Sequence, residues 1–208
     1  MKILVSVFNN LYTDQRVEKF CKTLHENAYQ IEVIGNNWGG NPEMQRPYPF
    51  SRISLQSKKL RFAYLEFQWK LFFELLKKAD RNTILHANDL DALLPNYLVS
   101  KIKGIPLVWD SHEIFTEMPT VTNRWVQHVW RLLENALIRK IKYFITANDS
   151  YANWFETNYK IKKPIVIRNF PQKSESPKSF VDNSPKIILY QGTINYSRGI
   201  DKMIEAMQ

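Results

Sequence analysis

Short apolar runs alternate along the chain with longer segments whose apolar residues recur every three or four positions. The first run, KILVSVF at 2–8, reads as a strand buried on both faces. Residues 14–27 follow with Val17, Phe20, Cys21 and Leu24 on one helical face. IEVIGNN at 31–37 is a second strand. Residues 38–57 hold three prolines and two glycines and read as loop, with one strand at RISL. A long helix spans 60–79. The series then continues with a strand at 83–89, a helix at 90–103 closed by Gly104, and a strand at 105–111. A helix at 123–141, a strand at 143–149, a short helix at 150–158 and a strand at 164–169 complete it.

Strands separated by helices make a parallel sheet, because parallel neighbours need crossover connections. The pattern predicts a doubly wound α/β domain, Rossmann-like, over residues 1–170. Ligands of such sheets bind where the strands end at their carboxyl side. Polar residues gather after each strand at those points. They are Asn9 and Asn10, Asn36 and Asn37, His86 to Asp89, Asp110 to Glu113, Asn148 and Asp149, and Arg168 and Asn169.

In the 60–79 helix, Phe62, Leu65, Trp69, Phe72 and Leu76 form one stripe, read as its core face. Tyr64, Phe67, Leu71 and Leu75 widen it, and contact with a membrane or another domain is the other reading. The helix at 123–141 and its flank carry Val126, Val129, Trp130, Leu133 and Leu137 beside Arg124, Arg131, Arg139, Lys140 and Lys142. That is a solvated basic face over a buried one, or a surface for anionic lipid.

Residues 171–185 are rich in Ser, Pro and Lys and read as a linker. KIILYQGTI then opens a new buried strand, and GIDKMIEAMQ an amphipathic helix with no stop signal. One strand and one helix cannot bury a core. A second domain is therefore expected to begin at residue 186, with 186–208 only its start.

Composition narrows the chemistry. Of 208 residues, 44% are hydrophobic, enough for a packed core. The net charge of +9 favours anionic partners. Because the basic residues are scattered through many segments, nucleic acid is not an expected partner. The one cysteine excludes an intrachain disulfide, and no apolar stretch is long enough for a membrane span or signal peptide. A cytoplasmic protein is the resulting expectation.

Histidine beside carboxylates at a strand end suits a general base, a ligand-positioning group or a metal site. His112, among Asp110 and Glu113, is the foremost candidate contact, and a capping role is its alternative. His86 is either a rim residue or a structural one beneath the rim. His86, Asp89, His112 and Glu113 are the metal candidates, but no helix carries a His-x-x-x-His pair, so no metal is expected. The chain has neither G-x-G-x-x-G after its first strand nor a P-loop. QGTINYSRGID at 191–201 offers a weaker phosphate signal. Gly192 makes a turn after a strand, and Arg198 stands at a helix start. An ordinary turn with a surface arginine fits those residues equally.

Four stretches carry a resemblance: TDQRV after the first strand, LHANDLDALLPNYLVSKIKGIPLVWDSHEIFTEMP at 85–119, VIRNFP at 166–171 and LYQGTINYSRGIDKMIEAM at 189–207. The chain resembles retaining glycosyltransferases of the GT-B fold, family four (group 1), and most nearly the bacterial members that build surface polysaccharides. The resemblance implies two Rossmann-like domains facing across a cleft, the first binding acceptor and the second the nucleotide-sugar. It implies that His112 is the catalytic rim histidine, with Asn10, Asn88, Asp89 and Glu113 on the acceptor side. It places Asp14, Arg16, Asn169, Gly192 and Arg198 on the donor side, Arg198 at the diphosphate. Thr193 departs from the family, which often has a second basic residue there. The family's paired glutamates would lie past residue 208, so this chain alone is expected to be inactive. No metal or other cofactor is implied, because basic groups offset the charge of the leaving phosphate. The implied partners are a nucleotide-sugar, a glycan or lipid-diphosphate acceptor, and an anionic membrane face. A noncatalytic sugar- or partner-binding module of the same fold is the alternative.

Overall fold

A computed structural model of the chain describes residues 1–171, 188–192, 194 and 199–207. They divide into two compact units, Met1–Asn169 and Phe170–Gln208.

In the first unit the elements run β1 (Lys2–Ser6), α1 (Gln15–Glu26), β2 (Gln30–Asn36), β3 (Phe50–Ile53), α2 (Leu60–Lys78), β4 (Thr83–Asn88) and α3 (Leu93–Lys103). They continue with β5 (Leu107–Ser111), α4 (Trp125–Leu137), β6 (Tyr143–Thr146), α5 (Asp149–Tyr159) and β7 (Ile165–Val166). The seven strands form one sheet in the order β3-β2-β1-β4-β5-β6-β7. Every pairing is parallel. This is the doubly wound α/β fold that the alternating pattern predicts.

Alternation along β1 explains the two covered faces. Leu4 joins a core with Phe67 and Leu71 of α2, Leu93 and Val99 of α3, Trp130 of α4 and Phe155 of α5. Ile3 and Val5 point the other way, toward Val17 and Cys21 of α1. Burial pushes the Cys21 thiol up to about 12, so it remains a neutral packing group. Trp109 of β5 is fully buried and stacks on Phe144 at 4.3 Å.

Three expectations need correction. In α2 the buried line is Ala63, Phe67, Leu71 and Leu75. Phe62, Leu65 and Trp69, read above as core, are 49%, 65% and 67% exposed. The helix is apolar around most of its circumference, so periodicity alone does not select a face. The sheet takes the line that includes the small Ala63. The strand expected at 164–169 shrinks to β7, two residues at the sheet edge.

In the second unit, residues 188–192 and 194 of the expected buried strand form none, and Ile188, Leu189 and Ile194 are exposed. A parallel strand is defined by a paired neighbour, and no described residue in the unit supplies one. The expected helix there is α6 (Ile200–Glu205), with no buried residue. Most of the expected linker, 172–185, lies outside the described residues.

Candidate functional site

The connections leaving β1 and β4 diverge, one toward β2 and the other toward β5. A parallel sheet opens a crevice at such a reversal. Three loops build its walls.

The loop after β1 is pressed against β2. A Cβ at Gly35 would meet Asn9 O at 2.6 Å and Leu11 Cγ at 2.5 Å, so only glycine permits this approach. Asn9 folds the loop on itself. Its Oδ1 accepts from the Leu11 amide at 2.7 Å, and its Nδ2 donates to Asp14 Oδ2 at 2.7 Å. Asp14 caps α1 by accepting from Val17 N at 2.9 Å. Asn10 is held by the Tyr12 amide and, through its carbonyl, by Arg52 Nε.

The cap aims the first turn of α1 at β5. Arg16 Nε and Nη2 donate to the two oxygens of Asp110 at 3.1 and 2.7 Å, and Nη1 donates to Ile167 O at 2.6 Å. Both side chains of the pair are buried. The guanidinium expected beside donor phosphates thus ties α1, β5 and the residue after β7 together. Burial would raise the Asp110 carboxyl, but the nearby His112 ring and the hydrogen bonds from Arg16 hold it at about 2.

Asp89, just past β4, has φ +58°, a conformation rare for a residue with a side chain. Three contacts with the β5 segment fix it there. Its amide donates to Asp110 O at 2.9 Å, its carbonyl accepts from Trp109 Nε1 at 3.1 Å, and its Oδ1 accepts from the His112 amide at 2.8 Å.

His112 stands where these loops meet, its side chain 15% exposed. Nδ1 lies 3.4 Å from Asp89 Oδ2, and Nε2 lies 3.1 Å from Asn88 Oδ1 and 3.7 Å from Asp110 Oδ2. Because Asn88 Nδ2 donates to Ser6 O at 3.1 Å, its Oδ1 is left as an acceptor toward the ring. Both ring nitrogens therefore face acceptors, which suits an imidazolium. Burial opposes that charge, but the carboxylates of Asp89 and Asp110 outweigh it and raise His112 to about 9.

His86 resolves to the structural reading. It is buried beneath the rim, stacked on Phe20 with ring centroids 4.4 Å apart, and burial lowers it to about 4. Other sequence candidates are more peripheral. The Glu113 side chain is exposed, and its carbonyl accepts from Ser111 Oγ. Asn169 Oδ1 accepts from Lys19 Nζ at 3.0 Å. Asn148 caps α5, and Asp149 pairs with Arg168. In the second unit Gly192 sits in an exposed bend, and Arg198 lies outside the described residues. Among the described residues, no three of His, Cys, Asp and Glu are grouped to hold a metal ion.

Asp91 escaped the sequence reading. It is buried, its Oδ1 has no hydrogen-bond partner, and burial next to Asp89 raises its carboxyl well above the usual range. The only local signal was its place two residues after Asp89.

Residues 14–170 match the family model described as Glycosyltransferase Family 4. No curated protein matches the chain. Among solved structures, the sucrose-phosphate synthase of Thermosynechococcus elongatus aligns with TM-score 0.60 at 10% identity over 81% of this chain and 47% of that one. A shorter chain of the same enzyme aligns with TM-score 0.56 at 10% identity, over 81% of this chain and 87% of that one. The chain therefore spans about half the length of the longer enzyme chain, and at this identity the likeness is one of fold.

Proposed function

The chain belongs to glycosyltransferase family 4, and from that premise we propose that it serves transfer of a sugar from a nucleotide-sugar to a glycan or lipid-linked acceptor, with retention at the anomeric carbon. The observation that carries this reading is the His112 ring at the mouth of the crevice, with Asn88, Asp89 and Asp110 facing its two nitrogens.

A ring protonated up to about 9 is a hydrogen-bond donor and a fixed positive charge at neutral pH, and it does not take a proton. Such a group steadies negative charge and orients sugar hydroxyls. The acceptor proton then needs another destination, and the leaving phosphate provides it. The bond between the anomeric carbon and the phosphate oxygen breaks with its electron pair on the phosphate. The acceptor oxygen bonds the same carbon from the same face, and its proton passes to that phosphate. This route asks for positioning groups rather than a protein base, and no metal step is assigned. Asp89, Asn88 and Asn10 are assigned to the acceptor. Asp14 and Arg16 hold the loop that faces the donor. The family resemblance alone assigns Asn169, Gly192 and Arg198 to the donor.

The test offers the full-length protein, with a complete donor-binding domain, a panel of nucleotide-sugars, with oligosaccharide and lipid fractions as acceptors. One donor should be consumed with release of its nucleotide, and NMR should show the donor's anomeric configuration kept in the product. An inverted product would remove retention. Consumption of no donor would contradict the whole reading.

A further inference from the structure

The face of α2 that the sheet does not use stays apolar, and it has company. Leu65 and Trp69 of α2, Leu98 of α3 and Trp125, Val129 and Leu132 of α4 are 41–73% exposed. They belong to the walls of one groove of about 990 Å³, the size of a small-molecule cleft. An exposed apolar concavity of this size marks a binding surface.

Its direction and charge identify what it holds. All strands end at one edge, so α2, α3 and α4 each start at the rim and run back from it. A groove between them therefore leads away from the rim. Tyr64, in its wall, packs on Phe8 at 4.3 Å, and burial, with Asp91 and Asp89 nearby, raises its hydroxyl. Trp130, also in the wall, packs on Phe115 at 5.1 Å, three residues past His112. Through these contacts the groove wall abuts Phe8 and Phe115, which follow β1 and β5. Among the described residues, no carboxylate lines the groove, and its one charged residue, Arg61, lies in the first turn of α2 at the rim end. Arg124 stands beside Trp125 at the start of α4. Among the described residues, neither arginine pairs with a carboxylate.

We propose that this groove seats the hydrocarbon chain of an amphiphilic acceptor, whose anionic head meets Arg61 and Arg124 and whose reacting end lies at His112. The proposal rests on the glycosyl-transfer reading and selects a lipid-linked acceptor within it. A second copy of the chain fits less well, because a two-fold contact would set concavity against concavity. A flat bilayer surface would leave the interior of the groove unfilled.

The experiment follows the protein's indole emission, to which Trp69, Trp125 and Trp130 in the groove contribute, as dodecyl phosphate is added below its micelle concentration. A saturable one-to-one response is expected, with none from inorganic phosphate. The Leu65→Gln/Val129→Gln double variant should weaken binding about tenfold or more. Its thermal melt should be unchanged, because both positions are more than half exposed. Unchanged binding in the variant would overturn the proposal. So would a response only to phosphatidylglycerol vesicles, or a dimer that the variant dissolves. The assay reads binding and not transfer, so its failure leaves the glycosyl-transfer reading to its own test.

Discussion

His112→Ala is expected to lower sugar transfer by about 10²- to 10³-fold, the cost of removing one preorganised donor from developing charge. The fold should survive. The side chain is 15% exposed, Asp110 keeps both bonds from Arg16, and Asp89 Oδ1 keeps the backbone amide of residue 112. The loss should fall on kcat more than on KM, because the charge acts on what forms during the reaction. His112→Gln, which restores a neutral donor without the charge, should recover only part of it. A His112→Ala enzyme with more than about a tenth of the parent rate would reduce the ring to a loop cap.

Arg16→Ala should have the largest effect on stability. It leaves the Asp110 carboxylate, 1% exposed, without its bidentate partner. Removing one member of a buried ion pair typically costs about 3–5 kcal/mol. His112 at 3.7 Å offsets part of that, so the lower end is expected. In a chain of this size the melting temperature should fall by roughly 10 °C. Arg16→Lys should not rescue it, since an ammonium cannot supply the paired Nε and Nη2 bonds. Arg16→Met combined with Asp110→Asn should, because no uncompensated charge then remains. A loss below about 1 kcal/mol for Arg16→Ala would show that the pair does not brace the site.

Much of this arrangement was legible along the chain. The alternation of apolar runs and helical stripes sets a parallel sheet, and parallel strands place their final polar residues on one edge. That reasoning reached Asn88, Asp89, Asp110 and His112 without coordinates. It did not reach the Arg16–Asp110 pair, because the partners lie 94 positions apart and nothing local links them. Nor did it identify Asp89 as the residue that clamps His112, since a left-handed aspartate leaves no mark in composition. Asn148 and Asp14 both cap helices, and a helix cap and a ligand contact use the same side chains at the same place, so sequence alone does not separate the two roles. The α2 face was misjudged for a different reason. A helix apolar on two sides has two candidate cores, and only the packed sheet decides between them.

A protonated imidazole held by carboxylates is the centre of the crevice. Its folded-state value of about 9 exceeds the ordinary 6.5, so His112 stabilises the fold fully below pH 6.5 and loses that contribution as pH rises through about 9. NMR titration of the His112 ring, assigned by comparison with His112→Ala, measures this directly. The expected midpoint is near pH 9, with transfer falling over the same range. A ring that titrates at or below 6.5 would contradict the site as described.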